Sequence, residues 1–356
     1  MMSSDWDNAK NILCVRLDAA GDVLMTTPAL KALKESKPER KITLLTSSAG
    51  AAIARLVPVV DRTIVYNAPW VKNNVPYQGS GQEYEMARRL RAHYFDAAVI
   101  FCVFSQNPLP AAFLCHMADI PLRLAYCREN PYKILTHWIP DPEPRQFIRH
   151  EVERQLDLVK TIGCRPRDEH FSLRVPEQAL RSVRRILQEL PVFSRRSSVI
   201  IHPGATALSR RYPPASFSLV ADLIVEQLGT QVIFTGTAAE QELVNGIRAG
   251  MKMPSHSLAG RLDIGKLCAL ISSVNLIITN NTGPAHIAAA VGTKMVDLYA
   301  LTNPQHTPWK VESRVLSHDV PCKYCYKSVC PEGHHNCLRL VSPEKVMQAA
   351  SELLSN

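Results

Sequence analysis

The stretch Asn11–Leu33, NILCVRLDAAGDVLMTTPALKAL, decides how the rest of the chain reads. It opens on a short apolar run, Ile12-Leu13-Cys14-Val15, which predicts a fully buried strand. A loop over Arg16–Asp22 follows, and then Val23, Leu24, Leu30 and Leu33 fall near one face of a helix. Strand, glycine-containing loop and helix is how open α/β sheets set a binding crevice at the carboxyl end of a strand. Asp22, directly after Gly21, places an ionisable group at that point. On this stretch alone, capping of the next helix is the simpler account of it.

Outward from this unit the same alternation continues. Strands are expected at Lys41–Thr46 and Thr63–Tyr66, then a long loop over 67–82 rich in Pro, Gly and Asn. A helix over Glu83–His93, a buried strand over Asp96–Phe104 and a helix over Leu109–Met117 come next. A Pro-rich passage from Ile139 precedes a periodic helix, His150–Ile162, and a second, basic helix spans Glu177–Leu190. The pattern then restarts, with strands at Ser198–His202, Gln231–Thr235, Asn275–Thr279 and Lys294–Tyr299, and a final helix at Pro343–Leu354. The expected architecture is α/β: two Rossmann-like, doubly wound domains facing each other across a cleft. Their expected spans are 1–175 and 176–340, with a closing helix over 341–356. A small-molecule ligand belongs in such a cleft.

A length of 356 residues suits two cores rather than one. No apolar run approaches membrane-spanning length, and the N-terminus lacks the apolar core of a signal peptide, so the cytoplasm is the expected compartment. The net charge of +9 is uneven: residues 145–196 hold 12 Lys/Arg against 7 Asp/Glu, which suits phosphorylated substrates or peripheral contact with an anionic membrane surface, with a solvated helical face as the commoner alternative. Few aromatics interleave with those charges, so nucleic acid is not expected as a partner.

Three loops beyond strands of the second half carry chemistry. In His202-Pro-Gly-Ala-Thr-Ala-Leu-Ser-Arg-Arg-Tyr-Pro213, Gly204 and Thr206 permit close approach, and Arg210 and Arg211 offer charge matched to phosphate oxygens. A surface turn with two solvated arginines is the bland alternative. In Asn280–His286, a Thr282-Gly283-Pro284 turn opening a small-residue helix makes a diphosphate cradle, with His286 in the first helical turn. In Gly236–Glu240, Glu240 could meet ribose hydroxyls or a base, or cap the next helix.

At these residues the chain resembles a known family. The blocks RLDAAGDVLMTTPALKAL, IIHPGATALSRRYP, FTGTAAEQ and NNTGPAHIAAAVGT match, in order, the signature blocks of the family 9 glycosyltransferases, the heptosyltransferase family of lipopolysaccharide assembly. The resemblance spans nearly the whole chain. It implies a GT-B fold, inversion at the anomeric carbon, no catalytic metal and an ADP-heptose donor. It further implies a glycan, lipid-linked or protein acceptor. By the same resemblance Asp22 corresponds to the general base, Arg210 to a diphosphate ligand, and Glu240 to a nucleoside contact. Thr282, Gly283 and His286 match the phosphate-binding turn. Asn281 stands where the family usually has Asp, which keeps shape but removes a charge and bears on the donor sugar. A sugar-nucleotide-binding protein without activity, or a nucleotide-sugar epimerase on the same fold, would be the alternatives.

Six of the ten cysteines (Cys14, Cys102, Cys115, Cys127, Cys164 and Cys268) are scattered and expected to pack as small hydrophobes. The other four, Cys322-x2-Cys325-x4-Cys330-x6-Cys337, lie within segment 318–337, with His318, His334 and His335 nearby. That spacing suits a closed tetrahedral zinc or iron site of structural role, with free thiols or two disulfides as the alternative. Some members of the resembled family carry iron in similar cysteine-rich ends.

Overall fold

The computed structural model describes residues 3–71, 79–191 and 197–355. Part of the expected loop 67–82, and the last residues of the basic segment 145–196, lie outside them. The chain divides into two compact units, Met1–Arg174 and Val175–Asn356.

The first unit holds strands β1 (Asn11–Val15), β2 (Lys41–Thr46), β3 (Arg62–Val65), β4 (Ala97–Ile100), β5 (Leu122–Cys127) and β6 (His137–Pro140). They form one parallel sheet in the order β3-β2-β1-β4-β5-β6. The second unit holds β7 (Ser198–His202), β8 (Gln231–Phe234), β9 (His256–Ser257), β10 (Leu276–Asn280), β11 (Lys294–Leu298) and β12 (Ser313–Leu316). Its order, β9-β8-β7-β10-β11-β12, repeats the first, again all parallel. Both sheets are therefore doubly wound with a reversal of strand order beside the first strand, where ligands of such sheets bind. In the first unit that point lies between β1 and β4, and in the second between β7 and β10.

The central strands are buried on both faces, which is why they read as continuous apolar runs. Two expectations need correction. The strand expected over Asp96–Phe104 pairs only through Ala97–Ile100. The helix after β1 begins earlier than expected, at Ala20, so Gly21 and Asp22 belong to its first turn. That helix, Ala20–Ser36, is buried on nearly every side rather than along one face. It also contains Pro28, which cannot donate to the carbonyl four residues back. The Thr27 hydroxyl replaces the missing donor, reaching Leu24 O at 2.6 Å, and itself accepts the Ser172 N–H at 3.0 Å.

β5 and β6 did not stand out in the sequence. The cause in β5 is Arg123, a buried charge at the second position of the strand that donates to the carbonyls of Ile134, Ile120 and Lys133. The final helix, Pro343–Ser355, packs Val346, Ala349, Ala350 and Leu353 into the core of the second unit. The six scattered cysteines are all buried.

Candidate active site

In the first unit the chemistry gathers just past β1. Arg16 leaves the strand fully buried and forms ion pairs with three carboxylates: Asp18 at 3.1 Å, Asp22 at 3.1 Å and Glu151 at 2.7 Å. Glu151, buried in the first turn of the helix Glu151–Lys160, also accepts from Gln155 Nε2 at 2.6 Å. Burial alone would weaken the charge on Arg16, and the carboxylates more than reverse that, Glu151 foremost. Asp18 accepts from Gln106 Nε2 at 2.5 Å. Burial pushes its carboxyl up, Arg16 pulls it back, and the neighbouring Asp22 adds to the rise.

Asp22 is the least buried of the three carboxylates, its side chain 21% exposed. One oxygen accepts from Arg16 Nη2 and the other from the Ala19 N–H, both at 3.1 Å. Asp22 is not the N-cap that the simpler account expected, which is Ala19; it stands at the third helical position, accepts the N-cap backbone N–H from there, and pairs with a buried cation besides. The carboxylate is oriented from two sides while part of it faces solvent.

In the second unit, two of the three expected loops leave the ends of β7 and β10, on either side of the strand-order reversal. Asn280, buried at the end of β10, ties them together: its Oδ1 accepts the Tyr212 N–H at 3.0 Å and its Nδ2 donates to Pro203 O at 2.8 Å. The first loop contains a single 3-10 turn, Leu208–Arg210. Arg210 is half-buried, whereas Arg211 is exposed, with its Nε donating to Ala205 O at 2.7 Å. Thr206 is exposed. Tyr212 is buried, its hydroxyl donating to Val341 O and its ring edge-on to Phe217.

The second loop runs Asn281-Thr282 into the helix Gly283–Val291. An ideal Cβ at Gly283 would meet nothing within 4 Å, so the helix start is open there. Asn281 is buried, and His286 is buried in the first turn. A helix start of this kind favours an anion through its backbone N–H groups and dipole.

Glu240 is placed more tightly than expected. Its Oε2 accepts from the Thr237 N–H at 2.8 Å and the Thr237 hydroxyl at 3.0 Å. A Cβ at Gly204 would lie 2.0 Å from its Oε1, so the space above Gly204 is filled by this carboxyl. The glycine is required by a side chain of the same chain.

Two buried charged residues escaped the sequence reading. Arg16 reads as an ordinary basic residue ending an apolar strand. Asp297 reads as one polar position in β11, yet it is fully buried, and among the described residues neither of its carboxyl oxygens has a hydrogen-bond partner. Burial pushes that carboxyl up to about 8, with the charge of Arg210 pulling against it.

The four clustered cysteines line one cavity of about 20 Å³ together with Ser209 and His334. Cys322 Sγ lies 3.7 Å from His334 Nε2. None of the four is in a disulfide. Among the described residues, no three His, Cys, Asp or Glu side chains stand close enough together to hold a metal ion as placed. The donor set is therefore assembled around one space without being drawn to ligating distance.

Residues 84–336, well over half of the chain, match the family model of glycosyltransferase family 9 (heptosyltransferase). Lipooligosaccharide heptosyltransferase 2 of Campylobacter jejuni is 25% identical over 343 residues, covering 94% of this chain and 96% of the relative. Among solved structures, a family 9 glycosyltransferase from Veillonella parvula superposes with a TM-score of 0.81 at 23% identity, covering 97% of each chain. The ADP-heptose lipopolysaccharide heptosyltransferase II of E. coli superposes at 0.76 with 23% identity, covering 97% of this chain and 98% of that one. The two parallel sheets and these neighbours identify the fold as the two-domain, Rossmann-like GT-B architecture.

Proposed function

The chain belongs to glycosyltransferase family 9, and on that premise we propose that this glycosyltransferase moves heptose from ADP-heptose to a lipopolysaccharide-core or other glycan acceptor, with inversion at the anomeric carbon and without a catalytic metal. The observation that carries this reading is Asp22, oriented by buried Arg16 at the carboxyl end of β1 and still partly open to solvent.

Loss of a nucleoside diphosphate builds oxocarbenium character on the sugar and negative charge on the leaving group. The leaving charge falls to the second unit: Arg210 and Arg211 on one loop, and Thr282, Gly283 and His286 at the helix start on the other. Fixed donors that need not reorganise lower such a barrier most. Glu240, whose carboxyl fills the space above Gly204, serves the nucleoside side, and Thr206 lies on the same loop as Arg210 and Arg211. Asn281 retains the shape of the usual Asp without its charge and bears on which donor sugar is taken.

The acceptor hydroxyl is far less acidic than a carboxylic acid of pKa about 4, so Asp22 cannot deprotonate it in the ground state. It takes the proton late, as the new C–O bond forms and the hydroxyl acidifies. Arg16 limits where the carboxylate can swing, and Glu151 and Asp18 hold Arg16 in turn.

The same proposal assigns Cys322, Cys325, Cys330 and Cys337 a structural zinc or iron ion, supported by their sharing one cavity. Ligation would require the thiols to draw together around it. Among the described residues no helix is long and apolar enough to cross a membrane. Peripheral work at the cytoplasmic face of an anionic membrane is part of the reading, supported by exposed arginines such as Arg145, Arg181, Arg184 and Arg185. Two others in the basic segment are spent internally: Arg149 on Glu143 and Asp157, and Arg154 on Asp141 and Glu143.

The test is turnover of purified protein with ADP-heptose against UDP-sugars, with the anomeric configuration of the product read by NMR. ADP-heptose consumption giving an inverted product is expected. Turnover confined to UDP-sugars, or retention of configuration, would contradict the proposal.

A further inference from the structure

We propose that Ser209 is a positioning residue for Arg210, anchoring the donor-binding turn to the cysteine-rich segment. This inference rests on Arg210 contacting the donor diphosphate, as argued above.

The turn Leu208–Arg210 is one 3-10 turn, too short to hold its own geometry. Its internal support is two backbone bonds, Arg210 N–H to Ala207 O and Arg211 N–H to Leu208 O. On the side towards β10 it is held through Tyr212 by Asn280. Its other support is Ser209, which is 3% exposed although Leu208 beside it is 51% exposed. Both donors of Ser209 are committed to consecutive carbonyls more than a hundred residues away. The backbone N–H reaches Ser328 O at 3.1 Å, and the hydroxyl reaches Lys327 O at 2.8 Å.

Those carbonyls sit in a stretch whose side chains, Lys327, Ser328 and Val329, are exposed. Apolar packing therefore does not fix it. Backbone bonds from Tyr324 N–H to Leu301 O and from Tyr326 N–H to Thr302 O, at 2.6 and 2.8 Å, do, tying it to the loop after β11. Its four cysteines line one cavity together with Ser209. The backbone is left-handed at Tyr324, Tyr326 and His335, with φ of 62°, 54° and 54°. Non-glycine residues hold that conformation only where their surroundings impose it. A segment bent this way makes a stiff anchor, and Ser209 is the residue that transmits its position to Arg210.

The test is steady-state kinetics with the nucleotide-sugar donor on Ser209→Ala, Ser209→Thr, Arg210→Ala and the double variant Ser209→Ala/Arg210→Ala, each with its melting temperature. Loss of one hydrogen bond is expected to raise the donor KM of Ser209→Ala about fivefold, with kcat within about twofold. Ser209→Thr, which keeps the hydroxyl, should recover most of the loss. In the Arg210→Ala background the serine substitution should add nothing, because its route of action is gone. A raised KM for Arg210→Ala with an unchanged KM for Ser209→Ala overturns this inference alone. Equal and additive effects of the two residues overturn it as well, since a general loss of stability would give that. An unchanged donor KM for Arg210→Ala overturns the diphosphate assignment beneath it.

Discussion

At the scale of single residues, the Asp22 carboxylate is held by a buried arginine and a backbone N–H. Asp22 could be singled out in the sequence because it follows a glycine just beyond an apolar strand. What orients it could not. Arg16 is an unremarked basic residue in the sequence, and Glu151, which braces it, lies far along the chain; only folding brings the two to 2.7 Å. Glu151→Gln should therefore lower kcat about tenfold or more, because Arg16 loses its strongest brace, while the donor KM stays within about twofold. Kinetics with donor and acceptor varied separately would check this, and a rise in donor KM alone would contradict it. Gly204→Ala makes the complementary case in the second unit. The new methyl cannot share space with the Glu240 carboxyl, so Glu240 must leave Thr237, and the donor KM should rise with kcat little changed. Sequence reasoning marked Gly204 as room for a ligand; the structure gives that room to Glu240.

At the scale of elements, legibility followed burial pattern. Strands buried on both faces, such as β1, β7 and β10, read directly as apolar runs. β5 escaped because Arg123 interrupts its run, and β9 because two residues carry no periodicity. The long helix after β1 reads as amphipathic from a few leucines and is instead enclosed, which makes its internal proline matter. Removing the Thr27 hydroxyl in Thr27→Val strands both Leu24 O and the Ser172 N–H, and a loss of about 1–3 kcal/mol is expected in chemical denaturation. An unchanged midpoint would show that the helix tolerates Pro28 without that hydroxyl.

β11 gives a second element-scale expectation. The Asp297 carboxyl has its protonation favoured by the fold, from the ordinary 3.8 up to about 8. The stability it contributes is therefore fully present below about pH 4 and lost as pH rises through about 8. Asp297→Asn, neutral throughout, should melt above the parent protein at high pH and close to it at low pH. A constant difference between the two melting curves from pH 4 to pH 9 would contradict this.

At the scale of the whole molecule, the repeat of one strand order in two sheets explains why the sequence could be divided by eye although its halves share no sequence repeat. Each unit needs the same layer of buried strands and the same loops at the same end, and only the residues on those loops differ. The first unit places carboxylates around one buried arginine; the second places arginines and a helix start. That division of charge is the one the proposed transfer, with a general base and an anionic leaving group, would call for. The cysteine cluster was legible from spacing alone, because four thiols within a short segment have few ways to be satisfied. Elemental analysis of the purified protein is expected to give about one zinc or iron per chain, and four freely titrating thiols with no metal would contradict that assignment.

The most direct measurement is turnover of Asp22→Asn with donor and acceptor at saturation, beside donor binding by calorimetry. The substitution keeps the side-chain shape and the oxygen that faces Ala19 while removing the proton acceptor. The account predicts a fall in kcat of about two orders of magnitude or more with donor affinity nearly unchanged. Near-normal turnover in a folded Asp22→Asn protein would contradict it.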